Sequence, residues 1–241
     1  MKKRVAKKQR KIDLVSAAAV SAILVVFDIE ATCWESERPE RQEILEIGAV
    51  RLTDLQPADA SENEGNLDRP AAPCSGDAGG SGLSVFSEIV RPEIEPIVSD
   101  FCIELTSIRQ DQADAADPFP EVFARFLEWI GNGKFWLGAW GSFDRRMFEV
   151  DMARHRLAMP ASFQGYIDLR REFARWKAMT PLSLKRSLQI AGLEMEGTPH
   201  RALDDARNLA RLTRTLLAAR AARRSLHPVS RVASTAKAVR R

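Results

Sequence analysis

The chain has 241 residues, of which 45% are hydrophobic and 29% are charged, a balance typical of a globular protein and not of a disordered or membrane-embedded one. Its three cysteines are scattered and form no CxxC pair, which argues against a disulfide framework or a zinc site and favours a reducing, cytoplasmic compartment. The net charge of +3 hides a division, because residues 1–11 and residues 220–241 each hold seven basic residues and no acidic one. The remainder holds 22 basic residues against 33 acidic ones.

The two basic ends are predicted to be solvated tails, an N-terminal arm over residues 1–20 and a C-terminal tail over residues 221–241. The alternative is that they contact nucleic-acid phosphates. The apolar run that ends at Phe27 imitates a secretory signal. Because the acidic residues Asp28 and Glu30 follow at once, and cleavage there would remove the first strand, we expect neither a signal peptide nor a membrane anchor.

Strands are predicted in the first third of the chain, where β-branched residues form short apolar runs. They cover residues 21–30, 43–52 and 84–90. Residues 54–82 separate the last two strands and are rich in Gly, Pro, Ser, Ala and acidic residues, which predicts a flexible insertion.

Helical patterns dominate from residue 99 onward, interrupted by one short predicted strand over residues 135–140. The predicted helices cover residues 99–108, 119–130, 143–157, 167–179, 182–191 and 202–219. Strands first and helices later, with one strand set between helices, predict a single α/β domain over residues 21–220 with a mixed β-sheet flanked by α-helices.

Two acidic residues end the first predicted strand. Side chains alternate along a strand, so Asp28 and Glu30 should point to the same face. Two adjacent carboxylates repel each other, and bound cations would relieve that repulsion. The alternative is an ordinary solvent-exposed acidic strand end. Asp144 starts a predicted helix, where an acidic side chain can simply interact favourably with the helix dipole.

A histidine and an acidic pair lie close together near residue 200. His200 follows the turn residues 197–199, and Asp205 is in the first turn of the last predicted helix. Acidic residues at a helix start again interact favourably with the helix dipole, and we assign this structural role to Asp204. Asp205 is then the candidate metal ligand, and His200 the candidate base, because imidazole titrates near neutral pH.

Three short motifs contain these five residues: FDIEAT (27–32), GSFD (141–144) and HRALDD (200–205). They resemble the exonuclease motifs of the DEDD superfamily, in its histidine-containing DEDDh branch. The segments between them are similar to the nuclease domain of the Eri1-type 3′→5′ exoribonucleases and to bacterial KapD-like exonucleases. The resemblance covers residues 21–220 and implies a ribonuclease H-like fold with two Mg²⁺ or Mn²⁺ ions.

The resemblance also implies a role for each motif residue. The carboxylates implied to hold the metal ions, directly or through water, are Asp28, Glu30, Asp144 and Asp205. His200 would deprotonate the attacking water. The residues implied to contact the substrate are Thr32, Phe101 and Phe143, the two rings by holding the terminal base. For the rings, packing in the core is the alternative.

The expected function is therefore a metal-dependent 3′→5′ exonuclease that removes nucleotides from single-stranded RNA or RNA 3′ overhangs. Two alternatives remain open from the sequence. One is a DNA-directed 3′→5′ exonuclease, since discrimination depends on contacts to the 2′-hydroxyl that these motifs do not encode. The other is a catalytically silent protein that binds nucleic acid, against which the presence of all five motif residues argues.

Overall fold

The computed structural model describes residues 23–36, 39–52 and 84–226. The predicted insertion, the N-terminal arm and the chain beyond residue 226 lie outside the described residues. A five-stranded sheet with the order β3-β2-β1-β4-β5 forms the centre of the fold. Its strands are β1 (Ile23–Ala31), β2 (Ile44–Leu52), β3 (Ser84–Ile89), β4 (Phe135–Ala139) and β5 (Phe163–Asp168). β1, β2 and β3 pair antiparallel, whereas β4 pairs parallel with both β1 and β5, so the sheet is mixed as predicted.

Seven α-helices in the described part of the chain surround this sheet, and a 3₁₀ turn (Pro39–Arg41) precedes β2. The helices are α1 (Asp100–Thr106), α2 (Gln110–Ala115), α3 (Phe119–Ile130), α4 (Phe143–Arg154), α5 (Leu169–Lys177), α6 (Leu184–Ile190) and α7 (Ala202–Leu226). α7 continues six residues past the end of the predicted domain at residue 220. None of the described helices combines the length and apolar character needed to cross a bilayer.

The two faces of β1 are covered by different helices. Val25, Phe27 and Ile29 point to one face, in the core cluster that includes aromatic residues of α3 and α4. Leu24 and Val26 point to the other face and share a second core cluster with the apolar side of α7. Since side chains alternate along a strand, Asp28 and Glu30 continue the row of Leu24 and Val26 and face the start of α7.

Two predicted helices have different bounds in the structure. The helix predicted over residues 167–179 begins only at Leu169, because residues 163–168 form the edge strand β5 beside β4. The helix predicted over residues 99–108 ends at Thr106, since Ser107 adopts a left-handed conformation with a φ of 61°, and α2 follows it.

Close contact between β2 and α7 depends on Gly48. A Cβ atom there would lie 2.1 Å from the backbone carbonyl carbon of Ala202, which begins α7. We expect Gly48→Ala to lower the free energy of unfolding by on the order of 1–3 kcal/mol or more, because backbone cannot move aside as a side chain can. Gly133→Ala is the control, since its Cβ would meet only the flexible end of Ile23 at 3.2 Å. Equal denaturation midpoints for the two variants would contradict this view of the β2–α7 contact.

Candidate active site

Glu30, Asp205 and His200 lie together where α7 begins. The side chains of Glu30 and Asp205 are buried and that of His200 is exposed. One potential ligand atom from each of the three side chains lies within 4.8 Å of the other two. The structure therefore places Glu30, from the strand of the first motif, beside His200 and Asp205 of the third motif, which follow about 170 residues later in the sequence.

Asp144 joins this group at the edge of β1 that faces β4. The pairing of β4 with β1 stops at Val26 and Gly138, which leaves the following part of β1 without a neighbour on that side. The Ile29 N–H donates a hydrogen bond to Asp144 Oδ1 at 3.2 Å, so the first turn of α4 takes the place of the strand. This contact holds the buried Asp144 carboxyl beside Asp28 and Glu30 at the end of β1.

The turn that carries His200 is held by hydrogen bonds to the two acidic residues of α7. The His200 N–H donates to Asp205 Oδ2 at 3.0 Å, and the Thr198 N–H donates to Asp204 Oδ2 at 2.9 Å. Asp204 therefore has a structural contact, as expected from the sequence. Asp205 Oδ1 is buried and has no hydrogen-bond partner among the residues that the structure describes.

Burial and mutual repulsion raise the pKa values of the carboxyl groups in this site. Burial is the largest cause for Asp28, whose pKa lies well above its ordinary value, followed by the negative charges of Asp144 and Glu30. Burial and the charge of Asp205 raise the pKa of Glu30 to about 8, and burial raises that of Asp144 to about 6. Burial also raises the pKa of Asp205, although the hydrogen bond from the His200 N–H opposes this. The group is thus costly to ionise without a compensating positive charge.

Most of the chain matches one family model, described as Exonuclease (RNase_T), over residues 25–213. The chain belongs to the exonuclease family. It is similar to human 3'-5' exoribonuclease 1, with 31% identity over 206 residues, covering 80% of this chain and 52% of that protein. It is also similar to ERI1 exoribonuclease 2 of Danio rerio, with 30% identity over 217 residues, covering 81% of this chain and 35% of the relative. The chain thus spans about half the length, or less, of these curated relatives.

Solved structures of exonucleases share the fold. The nuclease domain of 3'hExo, a DEDDh family member bound to rAMP, aligns with a TM-score of 0.66 and 29% identity, covering 83% of this chain and 93% of that one. A 3'-exonuclease that recognises the histone mRNA stem-loop aligns with a TM-score of 0.65 and 29% identity, covering 83% and 65%. The predicted DEDDh resemblance and the ribonuclease H-like α/β fold are confirmed.

The donor atoms of this exonuclease site fit a divalent metal ion. Carboxylate oxygens are the ligands that hard cations prefer. The buried Asp205 Oδ1 atom accepts no hydrogen bond from the described part of the chain and so can coordinate a cation. A bound cation would also offset the repulsion that raises the pKa of Asp28 and of Glu30.

The raised pKa of Glu30 predicts how the stability of the metal-free protein depends on pH. The folded state keeps the Glu30 proton up to about pH 8, whereas the unfolded chain releases it near the ordinary value of 4.5. The folded state therefore binds more protons in this window, so the free energy of unfolding should fall as pH rises from about 4.5 to about 8. Thermal unfolding in EDTA across this range tests the sign.

A divalent cation should reverse that loss of stability, because it binds the folded state and favours the ionised carboxylates. The matched variant is Glu30→Gln, which cannot ionise and should show a flatter dependence of melting temperature on pH in EDTA. A melting temperature of the unaltered protein that rises between pH 5 and pH 8 without metal would contradict the assignment.

The residues predicted to contact substrate occupy two kinds of position. Phe101 and Phe143 are 41% and 38% exposed and lie outside the core clusters, which removes the alternative that they are ordinary core residues. The Arg146 guanidinium lies 5.5 Å from the centre of the Phe143 ring. The Thr32 hydroxyl is buried and accepts a hydrogen bond from the Glu43 N–H at 3.0 Å, so it ties β1 to the start of β2. Substrate contact by these residues stays a prediction.

Sequence reasoning missed Glu46, a buried acid near the start of β2. It lies opposite Glu30 in the strand pairing and forms an ion pair with Arg201, next to His200. The only indication in the sequence was an acidic residue within an apolar predicted strand, EILEIGAVRL. Glu43, the first residue of that segment, is also acidic, so the sequence did not distinguish the two. Glu43 is buried too, but its carboxylate accepts the backbone N–H groups of residues 93–95 and so anchors a loop.

Proposed function

We propose that this protein is a metal-dependent 3′→5′ exonuclease that removes nucleotides from single-stranded RNA or RNA 3′ overhangs. The observation that carries the proposal is the convergence of Glu30, Asp205 and the exposed His200 imidazole within 4.8 Å. One Asp205 oxygen has no hydrogen-bond partner within the described ranges. Asp28 and Asp144 belong to the same group through their electrostatic interaction and the Ile29 contact.

Each residue of the group has a distinct task in this proposal. The four carboxylates would hold two Mg²⁺ or Mn²⁺ ions; they are Asp28, Glu30, Asp144 and Asp205. Such ions supply charge stabilisation at the attacking and leaving oxygens of an in-line displacement at phosphorus. The His200 imidazole, being exposed, can take a proton from the attacking water. Phe101 and Phe143 present exposed rings on which the terminal base would stack.

RNA is favoured over DNA as substrate by the relatives. The human relative is named 3'-5' exoribonuclease 1, and the aligned 3'hExo nuclease domain was solved with rAMP. A cytoplasmic location is also proposed, supported by the free thiols of Cys33 and Cys102, which suit a reducing compartment.

Digestion of matched RNA and DNA oligonucleotides tests the function. Each sequence is prepared with a 5′ label and with a 3′ label, and is incubated with Mg²⁺, with Mn²⁺ or with EDTA. We expect the 5′-labelled RNA to shorten stepwise, the 3′-labelled RNA to release labelled mononucleotide first, and EDTA to stop both reactions.

Three other results would each contradict part of the proposal. Faster digestion of the DNA strand would assign the enzyme to DNA, and early release of the 5′ label would reverse its direction. Tight binding of RNA without cleavage in either metal would make the protein a silent nucleic-acid-binding protein.

A further inference from the structure

Glu46 contacts the segment that follows His200 with both oxygens of its carboxylate. The Arg201 guanidinium donates to Oε1 at 2.9 Å and to Oε2 at 3.1 Å, and the Ala202 N–H donates to Oε2 at 3.0 Å. The Glu46 side chain is 1% exposed and that of Arg201 is 31% exposed. The Glu46 carboxylate therefore joins the first part of β2 to the two residues after the candidate base.

Stability alone does not explain this ion pair. A buried ion pair often contributes no more than well-packed apolar residues would, because both charges lose their hydration. Glu46 also stands opposite Glu30, and its charge adds to the repulsion that raises the pKa of Glu30. The charge of Arg201 acts against that repulsion, because Arg201 interacts favourably with Glu30.

The backbone at His200 needs external support. His200 has a φ of 60°, in the left-handed region that costs energy for a residue with a side chain. Its N–H bonds Asp205 Oδ2 at 3.0 Å, and the Asp205 N–H in turn bonds the Arg201 carbonyl at 3.0 Å. Arg201 therefore sits between the candidate base and a candidate metal ligand, and Glu46 is the group that holds Arg201.

We propose that the Glu46–Arg201 ion pair positions the His200 imidazole for proton transfer, with Glu46 as a positioning residue that never contacts substrate. This inference rests on the proposed function, in which His200 is the base. Gly48, two residues along β2, allows the start of α7 to approach closely enough for the contact. β2 would then act as the support of the His200 turn.

Glu46→Gln is the variant that tests the inference, because it keeps the shape and removes the charge. Its amide offers one acceptor oxygen where the carboxylate offered two, so one of the three donors is left without a partner. We expect kcat on single-stranded RNA to fall by about 10–100-fold, as for other groups that orient an active-site residue, with little change in KM. Arg201→Lys should show a smaller loss, since lysine keeps the charge but not the two-point geometry.

A double-mutant cycle with His200→Ala separates positioning from general damage. If Glu46 acts through His200, Glu46→Gln should change the residual single-turnover rate of the His200→Ala protein less than about threefold, because the effects of residues acting as a unit do not add. If the rate losses of Glu46→Gln and His200→Ala multiply in the double variant, the inference is overturned. Full activity of the His200→Ala protein would instead show that His200 is not the base. That result comes from the single variant, so it is distinguishable from a failure of the Glu46 inference.

Amide hydrogen exchange of residues 198–205 gives a readout that needs no activity. We expect faster exchange in Glu46→Gln, because the His200 turn loses its support. Glu43→Gln is the matched control: Glu43 is equally buried on the neighbouring part of β2 but anchors residues 93–95. It should loosen its own loop and leave the exchange of residues 198–205 unchanged. Unchanged exchange of the His200 turn in Glu46→Gln would overturn the inference.

Discussion

Asp28→Asn is expected to remove nearly all exonuclease turnover and, at the same time, to make the metal-free protein more stable at pH 8. The loss of turnover follows because an amide is a poor ligand for the cations that stabilise the transition state. The stabilisation of the transition state by the metal ions is worth several kcal/mol, and its loss corresponds to a decrease in rate of about 10²–10⁴-fold.

The gain in stability has an electrostatic cause. The pKa of Asp28 lies well above its ordinary value because burial and four neighbouring carboxylates oppose its ionisation. The folded protein therefore loses stability as pH rises above the ordinary Asp value near 4, and asparagine avoids that loss. At a pH below about 4 the two proteins should have similar melting temperatures, since the aspartic acid is then neutral in both states.

Thermal unfolding in EDTA and initial rates with Mg²⁺ measure the two effects on one preparation. The control is Asp204→Asn, which removes an acid from the same site region but keeps an oxygen that can accept the Thr198 N–H. We expect this control to retain turnover within a few-fold. An Asp28→Asn protein that is less stable at pH 8, or that digests RNA at the normal rate, would contradict the assignment of Asp28.

His200→Ala should lower kcat by about 10²–10⁴-fold, the range in which removal of a general base falls. The affinity for a single-stranded RNA should change little, because the His200 side chain is one exposed group beside the carboxylates and the rings of Phe101 and Phe143 are untouched. The stabilisation of the protein by Mg²⁺ should also persist, since all four carboxylates remain.

A second histidine provides the control for that measurement. His155 follows α4 and lies against the Phe119 ring, with its Nε2 atom 3.7 Å from Glu93, so its substitution should affect stability and not kcat. Equal losses of kcat in His155→Ala and His200→Ala would mean that the effect is structural. A normal kcat and pH profile in His200→Ala would remove His200 from the mechanism.

The five motif residues could be predicted from the sequence because their three motifs resemble those of the DEDDh exonucleases, and because each residue lies near the end of a strand or the start of a helix. Alternation along a strand puts Asp28 and Glu30 on one face, and a helix start or a turn presents Asp144, His200 and Asp205 near an element end. Long elements with a strong pattern were also predictable: α3 has the predicted bounds, and β2 differs by one residue.

Tertiary structure decided the features that depend on contacts between distant residues. β5 forms because residues 163–168 pair with β4, and a short segment of this kind carries too little pattern to separate strand from helix. The exposure of Phe101 and Phe143 depends on which helix faces pack against the sheet, which an aromatic residue type alone does not determine. The contact of Glu46 with Arg201 spans 155 residues of sequence. In the sequence Glu46 looks like Glu43. Only the fold shows that Glu43 accepts hydrogen bonds from residues 93–95 whereas Glu46 accepts them from Arg201 and Ala202, because packing across the sheet sets the partners of a buried side chain.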